Sequence, residues 1–433
     1  SIIAGLIYFD RQRKRFGTKK LLNVAGRLVK LLGHAAHLAP EQVRDSFSSK
    51  FEFHSGYTSH LKSIILEPVY KGHGKPAEKQ SATRNYYPKS IFLSALDAVP
   101  VQAITSTRSL LDEHGKLGPH EEPLPHRVTA KDIPCLSLGL KVSLEPKESR
   151  KLTFLFGYAD NDEISELIGD YQSKLLSAVR FASETSSKLG SFPLLRRTAE
   201  EWKRNVVNIR VDDKREDWVS REAQWNSYYL RSATLYDEYF ENHLLPQGGA
   251  YNYLQGLQGA PRDFMLFTIP MVYVEPQLAK EMLEYTMRLM SPSGKLPYMT
   301  HGFGMIGGAF VHESPSDLSL FFLWALSEYV FATRDFAFLY KRVPFYPKSN
   351  GESSTAYERV KLAVDFLLNN VGIGEHDLIK IGDGDWSDSI STMARNRGRL
   401  VKKGESMFNS ALALYVLPRI ITLLRKEDKD YGE

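Results

Sequence analysis

The chain is poor in cysteine and has no long apolar run. Its 433 residues include one cysteine, Cys135, which excludes an internal disulfide and gives no sign of an oxidising compartment. No uninterrupted apolar run approaches the ~18 residues of a membrane helix. Near the N-terminus an apolar stretch precedes the basic residues 11–15, the reverse of a signal peptide. These absences predict a cytoplasmic location and no membrane partner.

The overall composition is that of a globular protein. Hydrophobic residues make up 42% and charged residues 25%, which excludes a disordered, collagen-like or disulfide-rich chain. The net charge of +5 is spread along the chain, so it permits anionic substrates and predicts no nucleic-acid partner. Aromatic residues reach 12%, which suits either dense helix packing or a groove that stacks flat ligands.

Several catalytic and metal-binding signatures are also missing. The chain has no G-x-G-x-x-G opening a helix after a strand, no P-loop and no G-x-S-x-G elbow. Cys135 lies in a strand-like segment and is interpreted as a core residue rather than a nucleophile. His301 and His312 lack the spacing of a zinc site, so no metal is predicted.

The hydrophobic pattern changes at Asn161. Before it, short and partly alternating segments predict an antiparallel β-sandwich over residues 1–160. The candidate strands are 61–69, 90–95, 99–105 and 135–144. Residues 136–144 and 151–156 predict a hairpin with a five- or six-residue loop.

Helical periodicity dominates the rest of the chain. It predicts a helical linker over residues 161–216 and a helical domain over residues 217–433. The candidate helices of that domain are 220–242, 262–272, 276–291, 316–333, 335–342, 355–370 and 405–424. The fold class is therefore α+β, with more than one domain.

An acidic loop carries the most unusual residues. Residues 382–388 read Gly-Asp-Gly-Asp-Trp-Ser-Asp, which places three carboxylates around an indole. A carboxyl group beside an indole has a raised pKa because its charged form is desolvated, as a general acid requires. A helix cap and a calcium loop are the alternatives, although the ligand spacing of an EF-hand is absent.

Residues 258–263 form a second polar segment, Gln-Gly-Ala-Pro-Arg-Asp. The adjacent side chains of Arg262 and Asp263 point in different directions on a helix and could meet different ligand groups. The alternative is an ordinary helix start with Pro261 at its first position.

Residues 312–317 form a third segment, His-Glu-Ser-Pro-Ser-Asp, directly before an apolar run. Ser316 or Asp317 could cap the helix that this run predicts. Ligand binding by His312 is the other interpretation.

Taken in this order, the segments resemble the inverting β-glycoside phosphorylases of glycoside hydrolase family 94 and the related β-oligoglucan phosphorylase families 149 and 161. The resemblance runs from about Cys135 to residue 433. Its motifs are residues 247–251, 262–263, 296–302 with His312 and Asp317, 384–388, and the Lys-Gly-Glu-Ser at 403–406. It implies a β-sandwich, a helical linker and an (α/α)6 barrel.

The resemblance also implies roles for single residues. Asp388, the second aspartate of the Gly-Asp-Trp-Ser-Asp motif, would be the general acid. The substrate-binding candidates are Gln258, Arg262, Asp263, His312, Asp317, Asp385 and Trp386.

Two departures from the family 94 pattern bear on the substrate. The family motif Arg-Asp-x-x-Gln-Asp is here Arg-Asp-Phe-Met-Leu-Phe at 262–267. The Asn of the family motif Gly-Asp-Trp-Asn-Asp is replaced by Ser387. Both favour the oligoglucan relatives over a cellobiose or chitobiose phosphorylase, with a β-1,3-oligoglucan as the expected substrate.

The activity that the resemblance implies is reversible, glycosyltransferase-type phosphorolysis. A β-gluco-oligosaccharide and inorganic phosphate would give α-glucose 1-phosphate and a shortened chain, with no cofactor. One alternative is an inverting β-glucan hydrolase or transglycosylase, which needs a second carboxylate as base. The candidate bases are Glu313, Asp383, Asp385 and Glu405. Another alternative is a non-catalytic carbohydrate-binding subunit.

A count of helices adds a hypothesis about the length of the protein. About seven helices are predicted after residue 217, whereas an (α/α)6 barrel needs twelve. We therefore expect the chain to hold the first half of the barrel and to pair with a missing C-terminal half. An isolated half barrel would expose a large apolar patch. The resemblance places the phosphate-binding residues beyond residue 433 and implies a homodimer.

Overall fold

The computed structural model describes two compact units that divide between Val206 and Val207. The described residues are 51–70, 89–106, 110, 127–128, 134–184, 193–209, 211–212, 214–237, 239–247, 258–302, 305–307, 312, 315–346, 351–387, 390, 394–427 and 429–432. The division lies inside the segment 161–216 that the sequence predicts as a linker.

In the part that the structure describes, the N-terminal unit has two antiparallel sheets and two helices. The larger sheet has the strand order β5-β1-β2-β3-β7, and β4 pairs with β6 in a second sheet. The strands are β1 (Phe51–Thr58), β2 (Ser63–Tyr70), β3 (Ser90–Ala95), β4 (Gln102–Ser106), β5 (Arg127–Val128), β6 (Pro134–Gly139) and β7 (Phe154–Ala159). The helices are α1 (Ile164–Glu184) and α2 (Pro193–Asn205). Because β6 lies against β2 and β3, the two sheets pack as a sandwich.

The predicted hairpin of residues 136–144 and 151–156 is wrong. β6 pairs with β4, whereas β7 pairs with β3 at the edge of the larger sheet. The connection over residues 140–153 therefore passes from one sheet to the other. Alternating hydrophobicity predicts that a segment is a strand, but the choice of partner depends on packing far along the chain.

Phe92 forms the centre of the sandwich unit's small core. Its buried ring packs with Ile164 and Ile168 of α1, and the acidic residues around the start of that helix leave this apolar face inward. A Cβ at Gly157, the residue opposite Phe92 on β7, would lie 2.9 Å from the ring. Cys135, interpreted from the sequence as a core residue, is half-buried in β6.

The C-terminal unit is mainly helical. Its helices are α3 (Asp217–Ser232), α4 (Pro261–Val274), α5 (Pro276–Leu289), α6 (Leu318–Thr333), α7 (Ala356–Asp365), α8 (Arg397–Lys403), α9 (Met407–Glu427) and α10 (Lys429–Gly432). Among the described residues of this unit, three short hairpins lie between helices: β8–β9 (Leu235–Asp237 and Asn242–Leu244), β10–β11 (Met299–Gly302 and Met305–Gly307) and β12–β13 (Arg342–Pro344 and Ser353–Thr355).

Helix α6 is the centre of this unit. Its sequence is apolar on all sides, which is the pattern of a helix with no solvent face. It packs against α4, α5, α7 and α9, and its side chains join one large core cluster. This packing places the N-terminal ends of α4, α6 and α9 close to the candidate site described below.

The predicted helices agree with α4, α5, α6 and α9 to within a few residues. The predicted helix 220–242 is wrong beyond Ser232, because the Asp237 carboxylate accepts the N–H groups of Tyr239 and Phe240 and forms a turn. The predicted helix 335–342 is the 3₁₀ helix Phe336–Tyr340. The predicted helix 355–370 ends in the π-helical turn Phe366–Val371.

Helix α9 has one buried and one exposed apolar face. Over Met407–Lys426 it is long and apolar enough to cross a membrane by length and composition alone, with a mean hydropathy of 1.6. Val416 and Ile420 lie in the core of the helical unit, whereas Leu414 is 80% exposed.

At the level of architecture, the described residues combine a β-sandwich unit with a helical unit, as the sequence predicts. The barrel arrangement of the helices and the boundaries 1–160, 161–216 and 217–433 stay predictions.

Candidate active site

We call residues 382–388 the tryptophan loop; its described part, residues 382–387, lies between the beginnings of α6 and α9. An antiparallel bridge joins Pro315, just before α6, to Gly382. A second bridge joins Lys380 to Glu405, just before α9. The Ile381 N–H also donates to the Gly404 carbonyl at 2.9 Å. Three segments that are far apart in the sequence therefore form one site.

A buried ion pair between Arg262 and Asp317 forms the interior part of this site. Arg262 Nη1, at the start of α4, lies 3.0 Å from Asp317 Oδ2, and the two side chains are 6% and 0% exposed. The same nitrogen donates to the main-chain carbonyl of Asp385 at 2.8 Å. Asp317 occupies the N-cap position of α6 without a side-chain capping bond. Its carboxylate pairs with Arg262 and does not cap the helix, although the sequence allowed that role.

The carboxylate of Asp385 is buried and bonded on both oxygens. Oδ2 accepts the hydroxyl of Ser406 at 2.6 Å, and Oδ1 accepts the Ser387 N–H at 2.9 Å. Asp385 therefore links the tryptophan loop to the N-terminus of α9.

His312 lies behind the same loop and is completely buried. Its Nδ1 donates to the Asp383 carbonyl at 2.6 Å. Because a carbonyl only accepts, Nδ1 carries the proton. The imidazole also meets the ring of Tyr298 edge-on, with 5.0 Å between centroids. His312 thus fixes the backbone on one side of the loop.

Gly384 is required by this close approach of His312. A Cβ at Gly384 would lie 2.3 Å from the imidazole. Because the ring is completely buried and protein interiors are close-packed, it cannot move away without disturbing its neighbours. The glycine of the Gly-Asp-Trp motif is therefore explained by packing.

Trp386 is the exposed member of the loop. Its indole is 57% exposed and lies 5.9 Å from the ring of Phe408, at an interplanar angle of 30°. A flat, exposed aromatic ring next to a buried polar residue in the chain is a surface on which a sugar could stack.

Gln258 and Asp263 make bonds within the protein. Gln258 Oε1 accepts the hydroxyls of Tyr285 (2.6 Å) and Thr300 (3.0 Å), and its Nε2 donates to Asp237 (3.1 Å). Burial raises the pKa of Tyr285 well above its ordinary value, so this hydroxyl remains a donor. Asp263 Oδ2 accepts the Ala260 N–H at 3.1 Å, across the first turn of α4. Pro261 stands at the first position of that helix, as the alternative of an ordinary helix start predicts.

Other predicted residues lie outside the described part of the chain. They are the predicted acid Asp388, the alternative base Glu313 and the residues 248–251 of the glycine-rich turn. Asp388 follows Ser387, whose N–H is held by Asp385.

Comparison with protein families decides which family these features belong to. The model of the glycosyl hydrolase 94 superfamily catalytic domain matches residues 202–433, more than half of the chain. The chain belongs to the glycosyl hydrolase 94 superfamily. The supersandwich domain model of the same family matches residues 90–174, which include β3 to β7.

Three characterised phosphorylases are similar to parts of this glycosyl hydrolase 94 chain. Solabiose phosphorylase of Paenibacillus borealis is 28% identical over 162 residues, which cover 36% of this chain and 18% of the relative. Cellobionic acid phosphorylase of Neurospora crassa is 24% identical over 269 residues, 60% of this chain and 29% of the relative. The 3-O-beta-D-glucopyranosyl-beta-D-glucuronide phosphorylase of Paenibacillus borealis is 34% identical over 87 residues, which cover 20% of this chain and 10% of the relative. The chain thus matches less than a third of each relative's length.

Glu405, one of the alternative bases, is held by a neighbouring turn of this glycosyl hydrolase 94 chain. Its Oε1 accepts the main-chain N–H of His376 at 2.9 Å, and Oε2 lies 2.9 Å from Nδ1 of the same residue. The donated His376 N–H lowers the pKa of Glu405. A lowered pKa makes a carboxylate a weaker general base near neutral pH.

Two buried residues of the site were not predicted as binding residues: Asn409, and Ser316, for which the sequence suggested only a helix-capping role. Asn409 Nδ2 donates to Ser316 Oγ at 2.7 Å, and Ser316 Oγ lies within hydrogen-bond distance of the carbonyls of Ile381 (2.8 Å) and Gly384 (3.0 Å). The available signal was a polar residue three positions after Ser406, on the inward face of a largely apolar helix. Within the described ranges, no group of three or more His, Cys, Asp or Glu side chains could hold a metal ion.

Proposed function

We propose that this glycosyl hydrolase 94 chain forms part of an enzyme for the phosphorolysis of β-linked gluco-oligosaccharides. The observation that carries the proposal is the buried cluster of Arg262, Asp317 and Asp385, which adjoins the exposed Trp386 in the chain. The three similar proteins, all named phosphorylases, support the same reaction class.

In the proposed mechanism Asp388 is the general acid. It protonates the glycosidic oxygen while phosphate attacks the anomeric carbon from the opposite face of the sugar. Inversion at this carbon gives α-glucose 1-phosphate and a shortened chain. Inorganic phosphate is the co-substrate, no cofactor is needed, and the phosphate-binding residues are proposed to lie beyond residue 433.

The engagement of Asp385 and Glu405, two of the four candidate bases, supports phosphorolysis over hydrolysis. Phosphate is already an anionic nucleophile, whereas an inverting hydrolase needs a carboxylate base that activates water. Both oxygens of Asp385 accept hydrogen bonds from the protein. Glu405 is bonded to His376 and has a lowered pKa.

A β-1,3-oligoglucan is the proposed substrate. Leu266 and Phe267 replace the Gln-Asp pair of the family 94 motif, and both are partly buried against the helical core. Two polar groups of the disaccharide phosphorylase pattern are therefore absent. One similar protein carries a 3-O-β-glucosyl linkage in its name, which supports a β-1,3 bond.

The (α/α)6 barrel and the homodimer are part of the same proposal. The exposed apolar residues Met407 and Leu414 on α9 support a further packing partner on that face. Light scattering of the native protein tests this point. A single species near 49.2 kDa would contradict both the second barrel half and the dimer.

The deciding experiment is a phosphate-dependence assay on the native protein. We would incubate it with β-1,2-, β-1,3- and β-1,4-gluco-oligosaccharides, with and without inorganic phosphate, and measure α-glucose 1-phosphate and free glucose. Phosphate-dependent α-glucose 1-phosphate from the β-1,3 series is expected. Glucose released without phosphate would establish a hydrolase. Turnover of none of the three series would contradict the proposal and favour a carbohydrate-binding subunit.

A further inference from the structure

The position of Trp386 depends on the backbone of its loop. The indole is 57% exposed, and its ring contact is with the half-exposed ring of Phe408. An exposed side chain gains little packing energy, so it cannot fix the loop by itself. The buried neighbours of Trp386 must supply the rigidity that a stacking surface needs.

Asp385 is the buried neighbour that spans the loop. One oxygen holds the Ser387 N–H, on the far side of Trp386, and the other accepts the Ser406 hydroxyl. The carboxylate therefore fixes the backbone on both sides of the indole. It also fixes the residue that precedes the proposed acid Asp388.

Ser406 ties this carboxylate to α9. Its Oγ donates to Asp385 at 2.6 Å and accepts the Asn409 N–H at 3.0 Å, so one hydroxyl both caps the helix and holds the loop. Asn409 in turn donates to Ser316, beside α6. All four side chains are buried, which makes these bonds strong and excludes water as a replacement partner.

We propose that Ser406 is a positioning residue that acts through Asp385. It holds Trp386 and the backbone leading to Asp388 in one geometry, without touching the sugar. The assignment of its effect to turnover rests on the proposed phosphorolysis. Misplacing a reacting group by about 1 Å can reduce a rate by about 10²-fold, so the loss of this one hydroxyl should reduce kcat/KM by up to that factor.

The test compares three substitutions in the native protein. Ser406→Ala removes the hydroxyl, and Ser406→Thr restores it. Ser410→Ala is the matched control on the same helix. Ser410 Oγ accepts the Ile379 N–H at 3.0 Å and donates to the Ser406 carbonyl at 2.7 Å, so it also joins α9 to the preceding segment but does not reach Asp385.

Two measurements are made on each variant. The first is kcat and KM for phosphorolysis. The second is acrylamide quenching of Trp386 fluorescence, obtained as the difference between each variant and the same variant carrying Trp386→Phe. We expect Ser406→Ala to lower kcat/KM by about 10²-fold and to raise the quenching of Trp386, with Ser406→Thr reversing both. Ser410→Ala should leave both at the wild-type level.

Two results would overturn the proposal. One is a folded Ser406→Ala protein whose Trp386 quenching equals that of the wild type. The other is a Ser410→Ala protein that shows the same changes as Ser406→Ala, because this would indicate a general loss of structure. If the wild type does not carry out phosphorolysis, the proposed function fails, while the quenching comparison still decides the role of Ser406.

Discussion

The guanidinium of Arg262 lies 3.0 Å from the carboxylate of Asp317, and both side chains are buried where α4 and α6 begin. The same Arg262 nitrogen donates to the carbonyl of Asp385, which is 123 residues away in the sequence. One cation thus joins two helices and the tryptophan loop. Removing it would leave the Asp317 charge buried without this partner.

The first prediction concerns the stability that this pair contributes. Arg262→Ala should lower the free energy of unfolding by about 3–5 kcal/mol, because the buried Asp317 carboxylate loses its cation. Urea unfolding at pH 7 measures the change. Arg342→Ala is the control, since exposed Arg342 donates to Ser353, and it should cost less than about 1 kcal/mol. Equal losses in the two variants would contradict the role of the buried pair.

The second prediction concerns the proposed acid. Asp388→Asn should abolish turnover, because the amide has no proton to give to the glycosidic oxygen, and should leave sugar affinity nearly unchanged. Assay of α-glucose 1-phosphate and calorimetric titration with oligosaccharide measure the two effects. Asp377→Asn, the same change at an exposed residue, should keep full activity. Full activity in Asp388→Asn would disprove the catalytic assignment.

The third prediction tests the close contact between Gly384 and His312. A methyl group at Gly384 would meet the imidazole at 2.3 Å, so Gly384→Ala should cost about 1–3 kcal/mol of stability. Thermal unfolding measures the loss. Gly398→Ala in α8 meets only the Asn396 side chain at 3.9 Å and should be neutral or stabilising by up to about 1 kcal/mol. A Gly384→Ala protein as stable as Gly398→Ala would be inconsistent with the packing described.

The fourth prediction is a pH dependence at Glu405. The His376 N–H lowers the pKa of Glu405 below its ordinary value of 4.5. The resulting stabilisation is therefore present above pH 4.5 and is lost as the pH falls through the lowered pKa. Glu405→Gln should destabilise the protein at pH 7 and have a smaller effect in strong acid. Denaturant unfolding at several pH values checks this, and a loss that is independent of pH would argue against it.

The sequence indicated the helices of the C-terminal unit well where their pattern was strong. The apolar run Leu318–Val330 predicted α6 as a buried helix, because a helix that is apolar on every side has to be buried. The strand pattern at 90–95 likewise predicted β3. Where a local polar contact interrupts the pattern, as Asp237 does after α3, periodicity alone extended the helix too far.

The candidate site was predicted in part. The motifs around Arg262, Asp317 and Trp386 were singled out from the sequence, and the structure joins the first two to Asp385, the residue before Trp386. The bond between Asn409 and Ser316 was missed, because a polar residue in a largely apolar helix gives no indication of the side chain that it meets.

The sequence by itself therefore determined the strong helices, the succession of a β-sandwich region and a helical region, and the segments that carry chemistry, since these follow from local periodicity and residue type. Only the tertiary structure decided that β6 and β7 belong to different sheets. It also decided that Asp317 pairs with Arg262 and that Asp385 holds Ser406. Strand partners, burial and hydrogen bonds depend on contacts between residues far apart in the chain, and these form only when the whole core has packed.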